Sequence, residues 1–194
     1  MVVNIQNHYT DFNEWKTVKP SQSNTRWKAY PIKRNNKKRM FDEDDNMVVS
    51  INGNIFLYPP KAGVVIFNQN FTKVLLVSNN YDTENGKLGF PKGHIEGKES
   101  YEDCAKREVY EETGLNIDIP QNSKFLTVNN SKYYVFVLDR EDYNDFMPID
   151  KREIKYCSFI NIDDFDNLDI NKETRVLLNK KKNLAKKYAI PISF

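Results

Sequence analysis

Apolar residues along this chain recur at two different spacings, and the switch between them marks the predicted elements. Residues 62–67 (AGVVIF) and 73–77 (KVLLV) are short apolar runs rich in β-branched side chains, joined by the turn sequence NQNFT, and they predict a pair of strands. Residues 87–90 lead into a glycine-rich stretch, and residues 125–128 and 133–138 (YYVFVL) predict two more strands, the second buried on both faces. Residues 154–160 (IKYCSFI) alternate less strictly and predict another strand. In the middle of the chain the spacing changes: residues 100–113 hold no Gly or Pro, and Ala105 and Val109 stand four apart with Tyr101 and Cys104 beside them, as on one face of a helix. Ser100 suits the N-cap with Asp103 three positions on, and Gly114 stands where a helix ends in the left-handed conformation. Residues 162–168 predict a short helix, and residues 171–188 a long one with Leu177, Leu184 and Tyr188 on its apolar face. Residues 1–54 show no clear period and read as an N-terminal extension, which leaves residues 55–194 as the folded domain with a basic C-terminal helix.

The end of the central helix raises a chemical question. Glu108, Glu111 and Glu112 stand at i, i+3 and i+4, and no basic residue follows until Lys124. Carboxylates at that spacing share a face and repel, and at the negative end of the helix dipole each is disfavoured by roughly 0.3–1 kcal/mol. A solvated acidic face is the ordinary reading of such a run. A bound divalent cation is the other, because it turns the repulsion into coordination, and carboxylate oxygens suit Mg²⁺ or Mn²⁺. The segment before the helix favours the second reading. Five of the seven glycines (Gly86, Gly89, Gly93, Gly97 and Gly114) fall between residues 86 and 114, and glycine serves where a backbone turns sharply or approaches a ligand. Pro91, Lys92 and Gly93 then provide a rigid turn, a cation and an exposed carbonyl in succession.

Composition narrows the classes. Hydrophobic residues make up 39% of the 194 and aromatic residues 13%, enough for a core, and the net charge is only +2. No apolar run reaches the length of a membrane span, the N-terminus lacks a secretory apolar region, and two cysteines suit a reducing compartment, so no membrane partner and a cytoplasmic location are expected. Two histidines and two cysteines are too few for a zinc site.

The spacing of Gly93, Glu99, Arg107-Glu108-Val109, Glu111-Glu112 and Gly114-Leu115 matches the Nudix box at every fixed position, and over these 23 residues the chain resembles the Nudix hydrolases. The resemblance implies an α/β fold, an α/β/α sandwich with a mixed β-sheet, and a Mg²⁺- or Mn²⁺-dependent hydrolysis of a diphosphate linkage. It implies that Glu108, Glu111 and Glu112 bind metal and supply the base, with Glu112 the choice for that role, and that the Gly93 carbonyl joins them. Glu99 and Arg107 then brace the loop and the helix from behind. Lys92 is expected to contact a substrate phosphate as a point charge.

The substrate class is less constrained. The GFPKG entry and the CAKREVYEETG helix resemble the mRNA-decapping branch of the family, and KREIKYCSF resembles its segment before the last strand, which makes Glu153 a further metal ligand or base. His94 after PKG resembles the dinucleoside polyphosphate hydrolases instead, and KREIKYCSF also aligns with diphosphoinositol polyphosphate hydrolases. Capped RNA or another phosphate-rich polyanion is the expected partner. Lys33, Arg34, Lys37, Lys38 and Arg39, together with Arg175, Lys181, Lys182 and Lys186, are the candidate contacts, and Trp15, Trp27 or Tyr30 could stack on a base. The same lysines also read as the solvated face of a helix. A Nudix-like binding module without catalysis is the remaining alternative; the intact glutamate set speaks against it. The oligomeric state is not legible.

Overall fold

Contacts in the computed structural model divide the chain into two units, Met1–Pro60 and Lys61–Phe194; the described residues are 16–18, 28–30, 39–41, 45–51, 54–79, 87–149, 151 and 154–193. Within the first unit, β1 (Lys16–Val18), β2 (Lys28–Tyr30), β3 (Arg39–Phe41), β4 (Met47–Ile51) and β5 (Asn54–Tyr58) form an antiparallel sheet in the order β1-β5-β4-β3-β2. None of these strands was expected from the pattern of the extension. Three of them are only three residues long, too short for alternation to register. One signal was present: Ile51 pairs with Asn54 across the dipeptide Asn52-Gly53, a sequence suited to two-residue hairpins.

The second unit contains β6 (Lys61–Phe67), β7 (Lys73–Asn79), β8 (Leu88–Gly89), β9 (Lys92–His94), α1 (Tyr101–Thr113), β10 (Phe125–Val128), β11 (Ser131–Leu138), β12 (Ile154–Asn161), a 3₁₀ turn (Ile162–Asn167), α2 (Lys172–Tyr188) and β13 (Ile190–Ile192). The sheet runs β10-β11-β6-β7-β12. It is mixed: β6 and β13 are parallel to β11, whereas β10–β11, β6–β7 and β7–β12 are antiparallel. Side chains alternate between two cores. Val65, Phe67, Val74, Leu76, Tyr133 and Val135 face Leu177, Leu178 and Ala185 of α2. Ala62, Val64, Ile66, Leu75, Tyr134 and Phe136 face Cys104, Ala105 and Val109 of α1. The expected α/β/α sandwich is therefore what forms, with the central strands buried on both faces because a helix covers each.

One expectation for α2 is corrected. Its apolar stripe runs through Leu177, Leu178 and Ala185, all at most 2% exposed, while Leu184 is 39% exposed. Leu184, seven residues after Leu177, points almost the same way around the helix but lies about two turns farther along, near the C-terminal end of α2, where its burial is incomplete.

The sheet also shapes the site. β6 and β7 pair at Phe67–Val74, but farther along β9 takes the edge of β6 from Lys61 to Gly63, and β8 takes the edge of β7 at Val77–Ser78. The glycine-rich segment is thus built into the sheet. Gly63 permits this, because a Cβ there would lie 2.4 Å from the Pro91 carbonyl and 2.5 Å from Lys92 Cβ.

Candidate functional site

The ends of α1 form as the sequence predicts. Ser100 accepts the Asp103 N–H at 3.1 Å, and Gly114 takes φ +77° while its N–H donates to the Tyr110 carbonyl at 2.8 Å. Packing Cys104, Ala105 and Val109 on the sheet then fixes the direction of the three glutamates. Glu112 is turned inward and is only 5% exposed. It accepts the Lys92 backbone N–H at 3.0 Å, which ties the helix to β9.

Arg107 organises the other carboxylates. Its Nη1 donates to Glu108 Oε1 at 2.7 Å and to Glu111 Oε2 at 3.1 Å. Its Nη2 donates to Glu99 Oε1 at 2.7 Å and to the His94 carbonyl at 3.0 Å, and its Nε to Glu99 Oε2 at 3.2 Å. One guanidinium therefore spans the loop, β9 and the helix, using the forked donor geometry that a lysine lacks. The Arg107 hydrogen bonds hold the Glu99 carboxyl below the usual carboxylate range, and Glu99 in turn raises the affinity of Arg107 for its proton. Glu99 also accepts the Glu96 N–H at 2.7 Å, closing the turn before the helix. Glu99 and Arg107 are thus bonded to each other and, through the His94 carbonyl, to β9.

Gly93 lies directly against Glu108. A Cβ at Gly93 would meet Glu108 Oε1 at 1.9 Å, the carboxyl carbon at 2.1 Å and Oε2 at 2.4 Å. Among the described residues no group of three acidic, His or Cys side chains gathers into a cation-holding cluster. Glu108 and Glu111 turn to Arg107, and Glu112 to the Lys92 N–H. The donor set still fits a hard divalent ion in its chemistry: three carboxylates on one helix end, with one of them filling the space that the absent side chain of Gly93 leaves.

Burial next to these charges shows in the cysteines. Cys104 donates weakly to the His94 carbonyl at 3.3 Å, and burial, then Glu99 and Glu108, push its thiol up to about 12. Cys157 on β12 is also pushed up to about 12, first by burial and then by Glu112, so β12 runs past the inner side of the site.

The remaining predicted residues are placed as follows. Lys92 Nζ lies 2.5 Å from Glu173 Oε2 on α2, a partner that the sequence reading missed; nothing in a lone acid at a helix start names a lysine 81 positions earlier. Arg175 turns to the 3₁₀ turn, donating to the Phe165 and Leu168 carbonyls at 3.3 Å each, with Asp166 at 3.5 Å. Lys186 Nζ sits 5.3 Å from the ring centre of Phe71. Lys33, Arg34, Lys37, Lys38, Trp15, Trp27 and Glu153 lie outside the described residues, as do the side chains of Arg39, Tyr30, Lys181 and Lys182. Among the described residues no helix is long and apolar enough to cross a membrane.

The m7GpppN-mRNA hydrolase of Saccharomyces cerevisiae is 35% identical over 100 residues, 49% of this chain and 10% of the yeast protein. The m7GpppN-mRNA hydrolase of Caenorhabditis elegans is 30% identical over 110 residues, 54% of this chain and 14% of that protein. The chain thus spans only a small part of the length of these relatives. Among solved structures, the Ap4A hydrolase of Caenorhabditis elegans superposes with a TM-score of 0.51 at 20% identity, covering 66% of this chain and 99% of that one, which shows a shared fold. The NUDIX domain model matches residues 57–180, well over half of the chain and the whole of the site described above, and the chain belongs to the Nudix family.

Proposed function

We propose that this chain is a divalent-metal-dependent hydrolase of a diphosphate linkage and that its substrate is the 5′ cap of mRNA, cleaved by attack of water on phosphorus with release of methylated GDP. The observation that carries the reading is the Glu108 carboxylate seated against Gly93 at the head of a three-glutamate helix end. It occurs in a chain whose relatives at 30–35% identity are named m7GpppN-mRNA hydrolases.

In this reading Glu108, Glu111, Glu112 and the Gly93 carbonyl would hold Mg²⁺ or Mn²⁺, with Glu153 as a further ligand. An ion so held would neutralise phosphate charge and acidify bound water. Arg107 sets the direction of Glu108 and Glu111 through its 2.7 and 3.1 Å hydrogen bonds. Glu112, buried and anchored by the Lys92 N–H, takes the proton from the attacking water, a contribution of roughly 10²–10⁴-fold. Lys92 meets a phosphate of the substrate. The basic residues of the extension and of α2 neutralise backbone phosphates of the RNA body, and a cytoplasmic place of action belongs to the same reading.

The test is a product assay on purified protein with Mg²⁺ and with Mn²⁺, using cap-labelled RNA and, in parallel, diadenosine tetraphosphate and a diphosphoinositol polyphosphate. Release of methylated GDP, lost in Glu112→Gln, is the expected result. Fast cleavage of a small substrate without cap release would move the substrate class, and no turnover of any of them would leave a binding module.

A further inference from the structure

The N-terminal turn of α2 is built onto the glycine-rich segment. The Leu88 N–H donates to the Asp169 carbonyl at 2.9 Å, and the Asn171 N–H returns to the Leu88 carbonyl at 2.9 Å. Leu88 and Ile170 form a parallel bridge. Asn171 caps α2 by accepting the Thr174 N–H at 2.8 Å, and its amide fills the space beside Gly89, 2.1 Å from where a Cβ would lie. Two residues beyond the cap, the Glu173 carboxylate reaches Lys92 Nζ at 2.5 Å, with the two side chains 12% and 22% exposed. From the other side, Glu112 grips the backbone N–H of the same lysine at 3.0 Å.

Beside this pair sits Tyr133, fully buried on β11, whose hydroxyl makes no hydrogen bond of ordinary geometry. Burial, and after it the nearby Glu173, hold its pKa well above the usual value. Tyr133 belongs to an otherwise apolar core that includes Phe90, whose ring meets it edge-on at 5.6 Å. Buried polar groups are costly unless they serve one another.

We infer that Glu173 is a positioning residue for the diphosphate site, holding the Lys92 ammonium at the mouth of the glycine-rich loop so that a substrate phosphate finds it already in place. An ammonium has three N–H donors. One is committed to Glu173 and sets the direction of the side chain, and the others are left to the phosphate. α2 then belongs to the reacting site through its first turn, as well as to the core through Leu177 and Leu178. The proposal rests on the diphosphate-hydrolase reading, and its test separates the two.

Wild type, Glu173→Gln, Glu173→Asp, Lys92→Met and the Glu173→Gln/Lys92→Met double variant are compared for diphosphate hydrolysis, with thermal melts as the check on folding. Glu173→Gln is expected to lower kcat/KM about tenfold, the scale of a charge-assisted hydrogen bond. The same change should cost less than about twofold once Lys92 is Met, because coupled residues are non-additive. Glu173→Asp should keep part of the rate, and it carries the comparison if the Gln variant unfolds. Equal losses in both backgrounds, or none, overturn the proposal. A second readout needs no turnover: acetylation of Lys92 by acetic anhydride, mapped by mass spectrometry with and without imidodiphosphate and Mg²⁺. The diphosphate should protect Lys92 in wild type and much less in Glu173→Gln. Protection without turnover of any substrate would end the hydrolase reading and keep the positioning role. Turnover without protection would end the positioning role and keep the hydrolase.

Discussion

Replacing Gly93 by Ala separates the chemistry of this site from its folding. The added Cβ would stand 1.9 Å from Glu108 Oε1, and ordinary contact begins at 3.4 Å, so the carboxylate must retreat by about 1.5 Å. What must move is the far end of a flexible side chain, and the backbone gives no resistance of its own, since Gly93 does not take a positive φ. The loss in stability is then that of one partly exposed ion pair, Arg107–Glu108, about 1 kcal/mol or less. In a chain of this size that is roughly 2–4 °C in Tm. Activity should respond far more, because a misplacement near 1 Å of a group that orients the reaction costs on the order of 10²-fold. The assay is kcat/KM for the diphosphate substrate that the product assay selects, beside a calorimetric melt. Turnover within about threefold of wild type, with the fold intact, would refute the placing of Glu108 against Gly93 as part of the working site.

Three further outcomes follow from the same geometry. Glu99 has its folded-state pKa depressed below the ordinary 4.5 by Arg107, so its contribution to stability is present above that value and is lost as pH falls through the folded one. Glu99→Gln should lower Tm at neutral pH and flatten the fall of Tm below about pH 4.5, which a pH series of melts would show. Gly114→Ala places a side chain at φ +77° and its Cβ 2.4 Å from the Met147 carbonyl, so it should cost more than about 2 kcal/mol in urea unfolding. Cys104 and Cys157, each pushed up to about 12, should be nearly inert to a disulfide reagent at pH 8 in the native protein, with a thiolate fraction on the order of 10⁻⁴, and should react fully on unfolding.

What the sequence determined by itself is local or strictly periodic. The caps of α1 at Ser100 and Gly114 are short-range bonds between residues a few positions apart, so the residue types were enough to place them. The central strands of the sandwich were legible because both of their faces are apolar, and the glutamate face because a helix puts i, i+3 and i+4 together. The five strands of the first unit were not, being short and only weakly patterned. Leu184 was misplaced because periodicity gives the direction of a side chain around a helix and not how completely the packing surface covers it, here covering Leu177, Leu178 and Ala185 more fully. Only the tertiary structure decided that Glu112 would turn inward to the Lys92 N–H while Arg107 took Glu108 and Glu111. It alone joined Glu173 to a lysine 81 residues earlier and set Gly114 under the Met147 carbonyl. Pairings of that kind depend on where the chain returns after a long excursion, and residue spacing carries no record of them.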